Sequence, residues 1–136
     1  MYVKGMATDE KIGEMSQEKT KQRTYTFDEA FKSSKEYFGG DELAARVWAN
    51  KYALKDSYGN LFEKNPDDMH LRLAKEIARI ENRYPNPMSE EQILELFKEF
   101  KYIIPQGGPM SGIGNKYQIA SLSNCFVIGH KNPADS

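Results

Sequence analysis

The sequence predicts a mainly α protein: about four helices, then a glycine-rich loop and one β-strand that begins a sheet or barrel. Three observations carry this. Helix-capping residues recur at Thr26, Asn65 and Ser89, and the apolar residues behind them step by three and four. After Lys101 the chain turns glycine-rich and then alternates between polar and apolar side chains.

Residues 1–23 are rich in Lys, Glu, Gln, Thr and Gly without a sustained period, and read as a flexible tail. The helical domain is expected over residues 24–104. Thr26-Phe27-Asp28-Glu29 is a capping box, followed by Phe27, Ala30, Phe31 and Phe38 near helical spacing, with Gly39-Gly40 as a left-handed stop. A second helix starts at Asp41 and turns Leu43, Ala44, Val47 and Trp48 inward. Asp56-Ser57-Tyr58-Gly59-Asn60 is a turn. Asn65 caps a third helix, Pro66 presets its first φ, and Asp67 and Asp68 favour the positive end of its dipole. Met69, Leu73, Ile77, Ile80 and Tyr84 form its stripe until Pro85 and Pro87 break it. Ser89-Glu90-Glu91-Gln92 is a second capping box, and Ile93, Leu96, Phe97 and Phe100 form the fourth stripe. The expected core gathers Phe27, Phe31, Val47, Trp48, Leu73, Ile77, Leu96 and Phe97. Residues 105–136 form a separate unit: a glycine-rich segment from Gln106 to Asn115, then a strand over Ile119 to Ile128.

Composition narrows the class of function. In 136 residues, 39% are hydrophobic, 29% charged and 12% aromatic, which describes a globular chain of one modest domain. Nineteen basic against twenty acidic residues, a formal charge of -1, offer no field for nucleic acid or an anionic membrane. No apolar run approaches the roughly 20 residues of a membrane span. The single cysteine excludes an internal disulfide and points to the cytoplasm.

Candidate chemistry is sparse. Gly107-Gly108-Pro109-Met110-Ser111-Gly112-Ile113-Gly114 exposes backbone amides that can cradle an anion, but no Gly-Lys-Ser/Thr follows; a tight structural turn and a ligand contact both fit. His70 and His130 have no partners at metal-ligand spacing, so no metal site is expected. Asp67, Asp68, Glu90 and Glu91 are explained by capping. Cys125 lies in Ser121-Leu122-Ser123-Asn124-Cys125-Phe126-Val127, where a strand would put it on one face with Ser121 and Ser123. A lone cysteine is most often a small buried hydrophobe. Beside small polar groups just past a glycine loop, it can also be a thiol that approaches a ligand.

Pro105-Gln106-Gly107-Gly108-Pro109-Met110-Ser111-Gly112-Ile113-Gly114-Asn115, followed by Ser121-Leu122-Ser123-Asn124-Cys125-Phe126-Val127, resembles the start of the catalytic barrel of ribonucleotide reductases. The variant is similar to the class II, adenosylcobalamin-dependent enzymes. Val47-Trp48-Ala49-Asn50-Lys51-Tyr52-Ala53-Leu54-Lys55-Asp56, with Thr26-Phe27-Asp28-Glu29-Ala30 before and Pro66-Asp67-Asp68-Met69-His70 after, resembles that family's helical N-terminal region. The resemblance covers the chain from about Thr24 onward.

The resemblance implies the N-terminal part of a cytoplasmic ribonucleoside-diphosphate reductase, which makes deoxyribonucleotides by thiyl-radical chemistry. Cys125 then corresponds to the first thiol of the redox pair, which a thioredoxin-like reductant restores indirectly. Asn124, Gly107 and Gly108 lie against the ribonucleotide. Relatives place a Ser or Thr in that loop and a Ser or Ala before the cysteine, so contacts from Gly107 and Gly108 are assigned to backbone. The second redox cysteine, the radical cysteine with its Asn and Glu, and most of the adenosylcobalamin site would belong to the remaining part of the reductase. By itself the chain is expected to be inactive. The alternative is a small helical interaction module with a structural cysteine.

Overall fold

All four helices of the bundle open on a side-chain cap. In a computed structural model that describes residues 23–123 and 125, α1 spans Phe27–Tyr37, α2 Glu42–Lys51, α3 Pro66–Glu81 and α4 Glu90–Phe97. Thr26 accepts from the Glu29 amide at 3.2 Å while Glu29 accepts from the Thr26 amide at 2.7 Å, so the expected capping box is complete. Ser89 and Gln92 close the second box at 3.2 and 2.8 Å. Asp41 and Asn65 cap α2 and α3 from their side-chain oxygens. At the end of α1 the chain turns through Gly39 and Gly40, both at positive φ, and the Gly40 amide returns to the Lys35 carbonyl at 2.8 Å. Asp56 organises the expected turn by accepting from the Tyr58 and Asn60 amides at 2.9 and 3.0 Å.

Helix α1 packs chiefly on α2, and α3 on α4. The core is Ala30, Trp48, Ala49, Ala53, Leu61, Met69, Leu73, Ala74, Ala78, Ile93 and Phe97. Its alanines let helix backbones approach closely around one large ring, Trp48, which is 2% exposed. Of the expected core, Trp48, Leu73 and Phe97 are buried, while Phe27, Phe31, Val47, Ile77 and Leu96 are half-buried. The loop between α2 and α3 sends Leu61 into the core. Leu61 pairs with Tyr25 and Lys55 as isolated antiparallel bridges.

Five features differ from the sequence reading. Leu43 is 72% exposed, because α2 turns Ala45, Trp48 and Ala49 inward. In α3 the buried face is wider than the stripe: His70, Ala74 and Ala78 join Met69 and Leu73, and Tyr84 lies exposed beyond the helix end. Helix α4 stops at Phe97, so Phe100 does not reach the core by helical periodicity. It arrives through a 3-10 turn, Lys98–Phe100, with Glu99 and Phe100 both at positive φ.

The fourth difference concerns the glycine segment, which is a short helix rather than a loop: α5 spans Gly107–Gly112. Pro109 falls in its first turn, where no intrahelical donor is needed, and Met110 and Ile113 donate to the Gln106 and Pro109 carbonyls at 3.0 and 3.1 Å. The strand expected over Ile119 to Ile128 is not formed over its described residues. Ile119 and Leu122 are exposed there, and the Ser123 amide bonds to the Ser121 hydroxyl at 3.1 Å, a local partner that competes with a ladder. The expected tail, apart from Arg23, and residues 124 and 126–136 lie outside the described residues.

Candidate functional site

Helix α3 presents its inward face to α4 through Met69 and Leu73 and carries Arg72 toward the glycine segment. The Arg72 side chain is only 9% exposed, and its partner Glu63, in the loop leading into α3, is 4% exposed. The Arg72 Nε donates to Glu63 Oε1 at 2.6 Å. The second Glu63 oxygen accepts from the Leu54 amide at 2.8 Å and from Arg72 Nη2 at 3.4 Å. Burial pushes the Glu63 carboxyl above its ordinary pKa, against the opposing hydrogen bond and charge of Arg72 and the Leu54 amide.

The far edge of the guanidinium reaches the end of α5. Arg72 Nη2 donates to the Met110 carbonyl at 2.7 Å, and Nη1 donates to the Ile113 carbonyl. Helix ends leave such carbonyls unpaired, and a cation there complements the dipole. Next to it, Gly114 sits at φ +70, and a Cβ at that position would lie 2.9 Å from Arg72 Cγ. Asn115 then ties the turn together: its Oδ1 accepts from the Tyr117 and Gln118 amides, and its Nδ2 donates to the Ser111 carbonyl. Tyr117 stacks on Phe62 with centroids 4.2 Å apart. A cavity of about 540 Å³ opens beside this junction, with Phe62, Tyr117, Lys75, Arg79 and Lys116 among its walls. Neither Gly107, Gly108 nor Cys125 lines it.

Gly107 and Gly108 form the first turn of α5. The Tyr52 ring covers Gly107, where a Cβ would meet Cε1 at 3.2 Å. Their carbonyls accept from the Ser111 hydroxyl at 2.9 and 3.4 Å. Cys125 is a free, exposed thiol, so it is not the buried hydrophobe that a lone cysteine most often is. Asn124 lies outside the described residues. Glu63 and Arg72, which bind the glycine segment to the bundle, were not legible as a pair. Arg72 sits between Leu71 and Leu73 and reads as the solvated side of a stripe. Only a charge beside the buried Leu73, with an acid just upstream of the helix cap, hints at it.

His70 is a further buried polar group, as is Ser34 in α1, but the histidine side chain is the one enclosed by aromatic rings. It is fully buried, stacked on Phe97 at 6.3 Å and edge-on to Phe100 at 4.5 Å, and neither ring nitrogen has a hydrogen-bond partner among the described residues. Burial lowers its pKa, opposed by the charge of Asp67. Among the described residues no group of three or more His, Cys, Asp or Glu side chains could hold a metal ion, and no helix is long and apolar enough to cross a membrane.

Residues 38–110, more than half of the chain, match the family profile described as ribonucleotide reductase, all-alpha domain. The chain belongs to this family. No curated protein and no solved structure matches the chain. The reductase match covers α2, α3 and α4, takes in both Glu63 and Arg72, and ends at Met110 inside α5. The helical architecture agrees with an all-alpha reductase domain.

Proposed function

We propose that this chain supplies the N-terminal part of an adenosylcobalamin-dependent ribonucleoside-diphosphate reductase of the cytoplasm, with Cys125 as one thiol of the redox pair. The observation that carries the reading is the reductase all-alpha match running into the glycine segment that precedes Ser121-Leu122-Ser123-Asn124-Cys125. In this reading residues 24–104 are the helical domain and residues 105–136 begin the barrel. The stretch from Ile119 onward pairs into a strand only when neighbouring barrel strands offer it a ladder.

The chemistry assigned to this chain is limited to one thiol. The ribonucleotide loses its 2′-hydroxyl as water and gains a C–H bond, while two thiols give up two hydrogens and become a disulfide. Cys125 is one of them, and its partner belongs to the remaining part of the reductase. A thioredoxin-like reductant then returns the disulfide to thiols by exchange. Exposure of Cys125 supports this role, since both exchange and disulfide closure require an accessible sulfur. Gly107, Gly108 and Asn124 are assigned to the ribonucleotide, the glycines through backbone. Adenosylcobalamin would supply the initiating radical, but the described residues do not fit it: His70 is enclosed by phenylalanines and no other donor cluster exists among them. Its site is therefore assigned to the rest of the enzyme.

The reading is tested by Cys125→Ser in the reductase formed with the remainder of its chain. Serine is nearly isosteric but cannot form a disulfide, so multiple turnover should vanish while thermal stability and nucleotide binding persist. A stable Cys125→Ser enzyme with full steady-state turnover would overturn the assignment. The alternative, an interaction module with a structural cysteine, predicts the opposite outcome for the same variant: lost stability with turnover preserved.

A further inference from the structure

We propose that Arg72, held by Glu63, is a positioning residue that sets the orientation of the substrate-facing glycine segment; this rests on the reductase reading of Gly107 and Gly108. A helix of six residues, three of them glycine, has little stability of its own and takes its place from tertiary contacts. The contacts here converge on one side chain. Arg72 spends one edge on Glu63 and the other on the Met110 and Ile113 carbonyls, 38 and 41 residues away in sequence. Both members of the pair are buried, so the geometry is set by packing rather than by a mobile surface contact. Gly114 leaves the space that the Arg72 stem fills, and Tyr52 covers the opposite end of the segment at Gly107. The guanidinium thus couples α3, the loop before it and α5 into one unit. It acts on substrate through α5, without touching it.

Arg72→Lys keeps the charge opposite Glu63 but replaces a rigid fork by a compact ammonium that cannot serve all three partners. Gly114→Ala perturbs the same joint from the other side and leaves both charges in place. In the chain itself, amide hydrogen exchange at Met110, Ile113 and Asn115 should accelerate about tenfold or more in each variant, with α1 to α4 unchanged. Unchanged exchange at those three amides in both variants overturns the clamp. In the reductase formed with the remainder of the chain, each variant should lower kcat/KM for the ribonucleotide about tenfold or more, mainly through KM, because misplacing a binding element costs orientation. Lys98→Ala, which breaks only the exposed pair with Glu95, should leave both constants unchanged. Loosened amides with unaltered kcat/KM overturn the positioning role. A wild-type assembly that makes no deoxynucleotide overturns the reductase reading and the positioning role with it. Exchange in the chain is measured independently of that, which separates the two failures.

Discussion

Glu63 and Arg72 meet at 2.6 Å with almost no solvent access, and this pair differs in kind from the exposed pairs Lys35–Glu42 and Lys98–Glu95. Exposed pairs contribute about 0–1 kcal/mol, whereas a buried charge left without its partner is strongly destabilising. His70 presents the opposite situation, a buried imidazole kept neutral by its surroundings. Its folded pKa is lowered from 6.5, so below about pH 6.5 the unfolded chain takes up a proton that the folded protein resists. Stability is therefore fully present above that pH and falls as the pH drops below it. His70→Phe should remove this component, and urea midpoints at pH 7.5 and 5.5 check it; an unchanged difference between the two pH values in the variant would refute the account. Leu73 has no exposed surface, and Leu73→Ala should cost about 2–5 kcal/mol as a cavity opens between α3 and α4. A denaturation midpoint equal to wild type would contradict its place in the core.

At the scale of elements, the helices are held locally by caps and globally by small-residue packing. Ser89 closes a reciprocal box with Gln92 at the start of α4, which is only eight residues long and begins after an exposed linker. Ser89→Ala should destabilise the bundle by about 1 kcal/mol, read as a shift in the chemical-denaturation midpoint with an unchanged slope. Helix α5 has no side-chain cap at its N-terminus and takes its support from Arg72 at the other end. Between α4 and α5, Tyr102, Ile103 and Ile104 run exposed, linked to α4 by the Ile103 amide donating to the Leu96 carbonyl at 3.0 Å. Periodicity located the four bundle helices because each buries one continuous face. It missed α5 because a six-residue helix of Gly, Pro, Met and Ser has no face to display.

For the whole molecule, the reductase domain is a helical platform that carries a glycine segment and, beyond it, one thiol. A two-electron reduction that ends in a disulfide needs a second sulfur, and this chain contains one cysteine. The isolated chain should therefore yield no deoxynucleotide with any cofactor or reductant. Product formed by the purified chain alone, measured by chromatography, would contradict the proposed division of labour between this part and the remainder of the enzyme.

The sequence by itself determined the helical bundle, its caps at Thr26, Asn65 and Ser89, the Asp56 turn, and the family to which residues 38–110 belong. These are local or periodic properties, written in neighbouring residues three or four positions apart. Only the tertiary structure decided that Arg72 and Glu63 are buried together, that Ala45 rather than Leu43 faces the core, and that Phe100 closes over His70. It also decided that the glycine segment is helical. Each of these depends on partners distant in sequence: the carbonyls of Met110 and Ile113 lie about forty residues from the guanidinium that satisfies them. Burial of a charge is specified by what surrounds it on all sides, and no window of neighbouring residues contains that information.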